Sequence, residues 1–276
     1  RRPVPSGVIH DFRKGVGMSA EDYLRDGKVD EALADLKDQV RKDPADPKLR
    51  TFLFQMLSVV GDWDRALNQL KVVGEMDASA LPMRQTYQEA IQCEVLRKKV
   101  FAGETTPLVF GEPEEWIALL IESLKQCAAG RYEEAAGLRE KAFDSAPTTS
   151  GQMDGQPFEW IADADPRLGP ILEAVVNGRY YWIPFHRIRE INLEEPEDLR
   201  DMVWAPAQFV WANAGKTVGF IPTRYPGSED SEDHAIRLSR KTDWEEVAPE
   251  TWIGRGQRLL ATDAGETSLL DARKIT

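Results

Sequence analysis

The sequence predicts an α+β protein in which an N-terminal stack of helices precedes a small, mainly antiparallel β domain carrying one or two helices. Three observations predict it. A glycine–alanine signature recurs at a spacing of 34 residues in the first half. A small, polar stretch broken by Gly and Pro interrupts the chain near residue 150. Beyond it, short apolar runs alternate with turn dipeptides. The 276 residues suffice for two ordinary domains, and 42% hydrophobic with 30% charged residues is the balance of a chain with packed cores.

Residues 1–17, "RRPVPSGVIHDFRKGVG", are basic and rich in Pro and Gly, whereas "MSAEDYLRDG" from Met18 opens like a natural start, with Ser19 as a helix cap. The first 17 residues are therefore expected to be a leader, a misplaced start or a fused peptide outside the fold. From residue 18 to 147 the repeat governs. Gly27, Gly61 and Gly130 each stand five residues before an alanine (Ala32, Ala66, Ala135) and two before an apolar side chain (Val29, Trp63, Tyr132). Pro44 and Pro147 follow the first and third glycines by seventeen residues. Glycine frees the turn between two antiparallel helices, alanine lets them approach, and proline ends the second helix. This half thus resembles tetratricopeptide repeats, with departures: the slot near residue 95 lacks a glycine, and the stripe Trp116, Ile117, Leu120, Ile121, Leu124 leaves the usual face. An irregular stack of six or seven helices is expected, including helices over 81–102 and 113–129.

"APTTSGQMDGQP" (146–157) reads as a linker, assigned to 148–157, with the β-rich domain at 158–276. In "DPRLGPILEAVVNG", Asp165 as cap, Pro166 at the first turn and Gly178 beyond the end predict a helix. "YYWIPF", "RIREINLE", "QFVWAN", "TVGFIP", "AIRLS", "QRLLATD" and "TSLLDARKI" read as strands, with "EPEDLRDMVW" as a helix between them.

Charge and motifs narrow the function. With 35 Lys and Arg against 47 Asp and Glu, the net charge of −12 repels a phosphate backbone, so nucleic acid is not an expected partner. No run approaches the ~20 apolar residues of a membrane span, so no membrane is expected either. Cys93 and Cys127 lack metal-ligand spacing, which fits a reduced, cytoplasmic setting. "NAGKTVGF" ends like a phosphate loop, but Val210 stands where the first glycine belongs; a hairpin turn explains it. Asp163 and Asp165 with Arg167 and His186 would make a hydrolytic cluster, set against plain capping by Asp165 and a hydrogen-bonded strand histidine. The acidic loop "GSEDSEDH" (227–234) lacks the spaced ligands of a calcium site and reads as a solvated, mobile loop. No cofactor is expected.

Four linked blocks carry a more specific resemblance. "DPRLGP" supplies Asp165, Arg167, Gly169 and Pro170, and "RYYWIPF" supplies Tyr180, Tyr181, Trp182 and Pro184. "PEDLRD" supplies Asp198, Leu199, Arg200 and Asp201, and "YPGS" supplies Tyr225, Pro226 and Gly227. Together they resemble the ImpE/TagJ family, accessory proteins of bacterial type VI secretion systems. The resemblance implies a cytoplasmic, non-catalytic protein that binds the N-terminal helix of the small contractile-sheath subunit and acts alongside the AAA+ ATPase that recycles the sheath. Helical stacks offer grooves to amphipathic helices, and the expected apolar floor is Tyr87, Ile91, Ile117, Leu120 and Leu124. The alternatives are the hydrolytic cluster and a general tetratricopeptide chaperone. For the aromatic run itself, core packing and partner contact both stand. In a strand, Tyr180 and Trp182 share one face and Tyr181 and Ile183 the other, both to be covered.

Overall fold

The computed structural model describes residues 18–249 and 251–276; the expectation for residues 1–17 lies outside the described residues. The helical half holds seven helices: α1 (Ala20–Arg25), α2 (Val29–Lys42), α3 (Pro47–Val59), α4 (Trp63–Met76), α5 (Leu81–Phe101), α6 (Glu115–Ala128) and α7 (Tyr132–Ser145). Ser19 and Asp22 form a reciprocal capping box at its start. The repeat signature marks three antiparallel turns. Gly27, Gly61 and Gly130 take φ of 77°, 69° and 74°, a region where a side chain would be strained. Ala32, Ala66 and Ala135 are fully buried, as close helix packing requires. Between α5 and α6 the chain leaves the stack, and Leu108–Val109 form strand β1.

The remaining strands are β2 (Gly151–Met153), β3 (Gln156–Phe158), β4 (Ile161–Asp163), β5 (Ile171–Val176), β6 (Arg179–Pro184), β7 (Ile188–Leu193), β8 (Trp204–Trp211) and β9 (Lys216–Pro222). After the one-turn helix α8 (His234–Arg237) come β10 (Thr242–Ala248), β11 (Thr251–Gly256), β12 (Leu259–Thr262), β13 (Gly265–Ser268) and β14 (Lys274–Ile275). A nine-stranded sheet runs in the order β1-β6-β5-β9-β8-β7-β14-β2-β3. Only β1 lies parallel to its neighbour; the other pairs are antiparallel. A hairpin β10–β11 and a three-stranded sheet β13-β12-β4 complete the half.

Several sequence expectations are corrected here. "DPRLGPILEAVVNG" is not a helix: it is a tight turn over Asp165–Gly169 followed by β5, whose six residues are all buried. A strand covered on both faces reads as one continuous apolar run, which periodicity cannot tell from a buried helix. The expected linker 148–157 holds the β2–β3 hairpin, turning at Asp154 and Gly155 with φ of 51° and 83°. "AIRLS" forms α8, capped by Asp233, and "EPEDLRDMVW" contains only a 3-10 turn, Leu199–Met202, leading into β8. The β10–β11 hairpin was not anticipated. The acidic loop is not free in solvent: Ser228–Asp230 form a 3-10 turn, Ser228 is fully buried and Glu229 lies against Gly61. "NAGK" is the turn of the β8–β9 hairpin, as expected.

The two halves share their cores. One apolar cluster joins α1–α5 to Val203, Trp204 and Leu238, and another joins α5–α7 to Leu168, Ile171, Tyr180 and Trp182. The third lies on the opposite face of the sheet, around Leu172, Ile183, Phe209 and Ile275. Strand β6 is therefore covered on both faces. Tyr180 and Trp182 look to the helices, and Ile183 and the half-buried Tyr181 to the other core, with Tyr181 meeting Phe110 edge-on at 5.9 Å.

Candidate functional site

The motif side chains converge on a charged cluster buried between helices and sheet. Its hub is Glu173, in the middle of β5 and fully buried. It accepts from Arg97 of α5 through Nε at 2.7 Å and Nη2 at 2.8 Å, and from Arg258 and the Tyr180 hydroxyl. Arg97 also donates to Glu94 at 3.3 Å and to the Arg224 carbonyl at 3.0 Å. Tyr180 accepts from the Trp182 indole at 2.8 Å.

Arg258 spans the site. It reaches Asp163 and Glu173 with its two terminal nitrogens and the Pro222 carbonyl with Nε at 2.9 Å. Asp163 further accepts from the Tyr225 hydroxyl at 3.1 Å and the Asp165 backbone N–H at 2.8 Å. Asp165 accepts from Arg167 Nε at 2.9 Å and from the Gly254 N–H at 2.9 Å, so it joins the turn to β11 instead of capping a helix. Arg224 donates to the carbonyls of Ser58 and Val59 at 3.0 and 2.7 Å, satisfying the C-terminal end of α3.

Burial sets the electrostatics of this cluster. It works to raise the Glu173 carboxyl, but Arg97 and Arg258 outweigh it and bring the group down to about 2. Burial raises Glu94 against the pull of Arg97, and lifts Asp163 to about 6 against Arg258. The Tyr180 and Tyr225 hydroxyls are pushed well up, first by burial and then by the adjoining carboxylates. They remain protonated donors.

The other motif residues also serve architecture. Asp201 accepts from the N–H groups of Glu197 and Asp198 at 2.9 and 2.8 Å, and its carbonyl accepts from Thr223 at 2.7 Å. Arg200 pairs with Asp198 and lies over the Tyr87 ring at 4.7 Å. Leu199 packs against the helical core. The Pro226 carbonyl accepts from Arg255 at 2.8 Å, while Gly227 leaves room for that guanidinium. Pro170 and Pro184 flank the start of β5 and the end of β6, where the Phe185 N–H reaches the Pro170 carbonyl at 3.1 Å. Gly169 leaves room for the Phe143 ring of α7.

The hydrolytic cluster is not assembled. Asp163 is held by Arg258 and Asp165 by Arg167, whereas the His186 imidazole meets Glu114 at 3.2 Å and faces Trp116. Among the described residues no group of three or more His, Cys, Asp or Glu is placed to hold a metal ion, and no helix is long and apolar enough to cross a membrane. The expected apolar floor is likewise corrected. Tyr87, Ile91, Ile117, Leu120 and Leu124 are all buried within the chain. The sheet fills the space that a regular further repeat would occupy: Tyr87 meets Trp204 at 5.7 Å and Phe220 at 5.3 Å, and α6 packs on Tyr180 and Trp182.

Among the described residues a groove of about 420 Å³ lies beside α5, lined by Thr86 and Glu89 of the helix, Val218 and Phe220 of β9, Pro206 of β8 and Glu194 after β7. Sequence reasoning missed both this groove and the charge cluster. A signal for the latter existed in single charges embedded in apolar strands, Glu173 in "ILEAVV" and Arg258 in "QRLLA".

Fold and site together define a class: an α+β scaffold whose buried charges bind helices to sheet, with a groove at the seam. Residues 155–276 match the family model described as ImpE protein. Over 260 residues, covering 94% of this chain and 91% of the relative, the sequence is 53% identical to the type VI secretion system accessory component TagJ of Pseudomonas aeruginosa. The fold matches the crystal structure of a Vibrio parahaemolyticus protein with a TM-score of 0.85 at 25% identity, over 93% of this chain and 96% of that one. The chain belongs to the ImpE/TagJ family.

Proposed function

We propose that the chain is a non-catalytic adaptor of the type VI secretion apparatus, working in the cytoplasm. It receives the N-terminal helix of the small contractile-sheath subunit and acts alongside the AAA+ ATPase that recycles the sheath. The observation that carries this reading is the 53% identity to an accessory component of that system over 94% of the chain. The geometry supports it, because Asp163, Asp165 and His186 are engaged by three different structural partners instead of converging as a nucleophile–base set does. The domain reading that accompanies it is a helical unit over 18–147 and a β-rich unit that takes in the β2–β3 hairpin of the expected linker as well as residues 158–276, joined through the charge cluster.

The test is co-expression with the small sheath subunit from the same gene cluster, with and without its N-terminal helix. The intact subunit is retained on the immobilised chain and the helix-deleted subunit is not. Equal retention of both, or of neither, contradicts the reading.

A further inference from the structure

The helical layer covers only part of the sheet face on which it lies. Register places Tyr180, Trp182, Glu173, Val175 and Phe220 on that face, under the helices. Two residues along β9, and therefore on the same face, Val218 is 71% exposed, the most exposed of the large apolar side chains described. The cause is topological. Strand β5 ends at Val176 and turns at Asn177–Gly178, so it pairs with β9 only opposite Phe220 and Gly219. The helical layer ends in the same place, with Thr86 and Glu89 of α5 forming one wall of the groove.

We propose that this groove is a docking surface for an amphipathic helix bearing an apolar stripe and flanking lysine or arginine side chains, laid on the sheet beside α5. The inference rests on the adaptor reading and adds where the helix binds and what chemistry it carries. Three observations favour this occupant. The floor is apolar, and an apolar sheet face is most simply covered by a helix continuing the existing layer. Among the described residues the only charged side chains lining the groove are Glu89 and Glu194, so cations on the incoming segment gain partners, and the chain's net charge of −12 steers them in. Lys216, on the same face two residues from Val218, is exposed and outside the lining.

The floor is also rigid. The Phe220 ring packs tilted against Tyr87 at 5.3 Å, and Tyr87 against Phe54 at 5.5 Å, so the floor is set before the partner arrives and binding orders little of it. Addition of a strand fits less well, since on the groove side β9 runs beyond its β5 pairing for only Lys216–Val218.

The probe is a synthetic peptide of the small sheath subunit's N-terminal helix, titrated calorimetrically into the full chain and its variants. Val218→Asp puts a charge on the floor at an exposed position, so it leaves the melting temperature unchanged and weakens binding by ~10-fold or more. The double variant Glu89→Lys, Glu194→Lys weakens it by a similar ~10-fold through like-charge repulsion, which serves if the first variant folds poorly. Trp252→Asp, on the β10–β11 hairpin, leaves the affinity unchanged. Undiminished affinity in both groove variants overturns the groove while leaving the adaptor reading intact. Absence of binding by the unaltered chain overturns both.

Discussion

Replacing Glu173 by Gln removes the charge at the centre of the buried cluster while preserving side-chain shape. Two guanidiniums, Arg97 and Arg258, then lose the carboxylate that both engage; Arg97 keeps Glu94 and Arg258 keeps Asp163. Glu173 and Arg258 are fully buried and Arg97 is 3% exposed, so water cannot take the place of the lost partner. Breaking a buried pair by removing one member costs about 3–5 kcal/mol, here because each guanidinium is left with one carboxylate where it had two. For a chain of this size that corresponds to a fall of roughly 6–20 °C in melting temperature. The control is Glu245→Gln, which removes the exposed partner of Arg255 and should cost under about 1 kcal/mol. Thermal melts and urea titrations of the three proteins decide the matter. A Glu173→Gln variant that melts within about 2 °C of the parent would refute the assignment of Glu173 as the hub joining helices to sheet.

The same group predicts an acid dependence. Its carboxyl is held at about 2 in the folded chain against an ordinary 4.5, so its stabilisation is present above pH ~4.5 and is lost as pH falls toward 2, about 3 kcal/mol in all. Asp163, raised to about 6, works in the opposite sense and favours the folded chain as pH falls from about 6 to 4. The stability gap between parent and Glu173→Gln should therefore narrow between pH 4.5 and 2, and a constant gap in urea titrations would contradict the assignment. Ala66, fully buried at the α3–α4 crossing, should tolerate Leu poorly, with a loss of about 1–3 kcal/mol from overpacking; an unchanged melting temperature would contradict the repeat register. The fragment 155–276 lacks Arg97, β1 and the helices that cover Tyr180, Trp182 and Trp204. Expressed alone it should bind a hydrophobic dye and melt without a cooperative transition, whereas a sharp transition would show that the β half folds unaided.

The helical half was legible because its turns are chemically marked: glycine where φ must be positive, alanine where helices meet. Strands β6, β7 and β9 were legible from aromatic and β-branched runs. The missed hairpins carried their own signal, Asn177–Gly178 between β5 and β6 and Asp154–Gly155 between β2 and β3, the dipeptides that suit a two-residue turn. In both places a competing reading prevailed, an apparent helix frame around β5 and a polar texture around β2. The fate of Tyr87 and Leu120 was not legible in the same way. Their helical stripe is visible in the sequence, but what covers it is a sheet whose strands lie far along the chain, Tyr180 and Trp182 over Leu120 and Trp204 and Phe220 over Tyr87, and no local pattern tells a covered stripe from an open one. Of the family blocks, the sequence shows the residues but not the circuit that Arg97, Glu173 and Arg258 complete among them.

As proposed, the chain is a scaffold that binds a sheath-subunit helix through an apolar surface. Calorimetric titration of the full chain with that helix, at ionic strengths of about 0.1 and 0.5 M, tests it most directly. Saturable one-to-one binding is expected, with a negative heat-capacity change from apolar burial and a weakening of less than about tenfold between the two salts. No saturable binding at either salt, or binding that vanishes at the higher one, would contradict it.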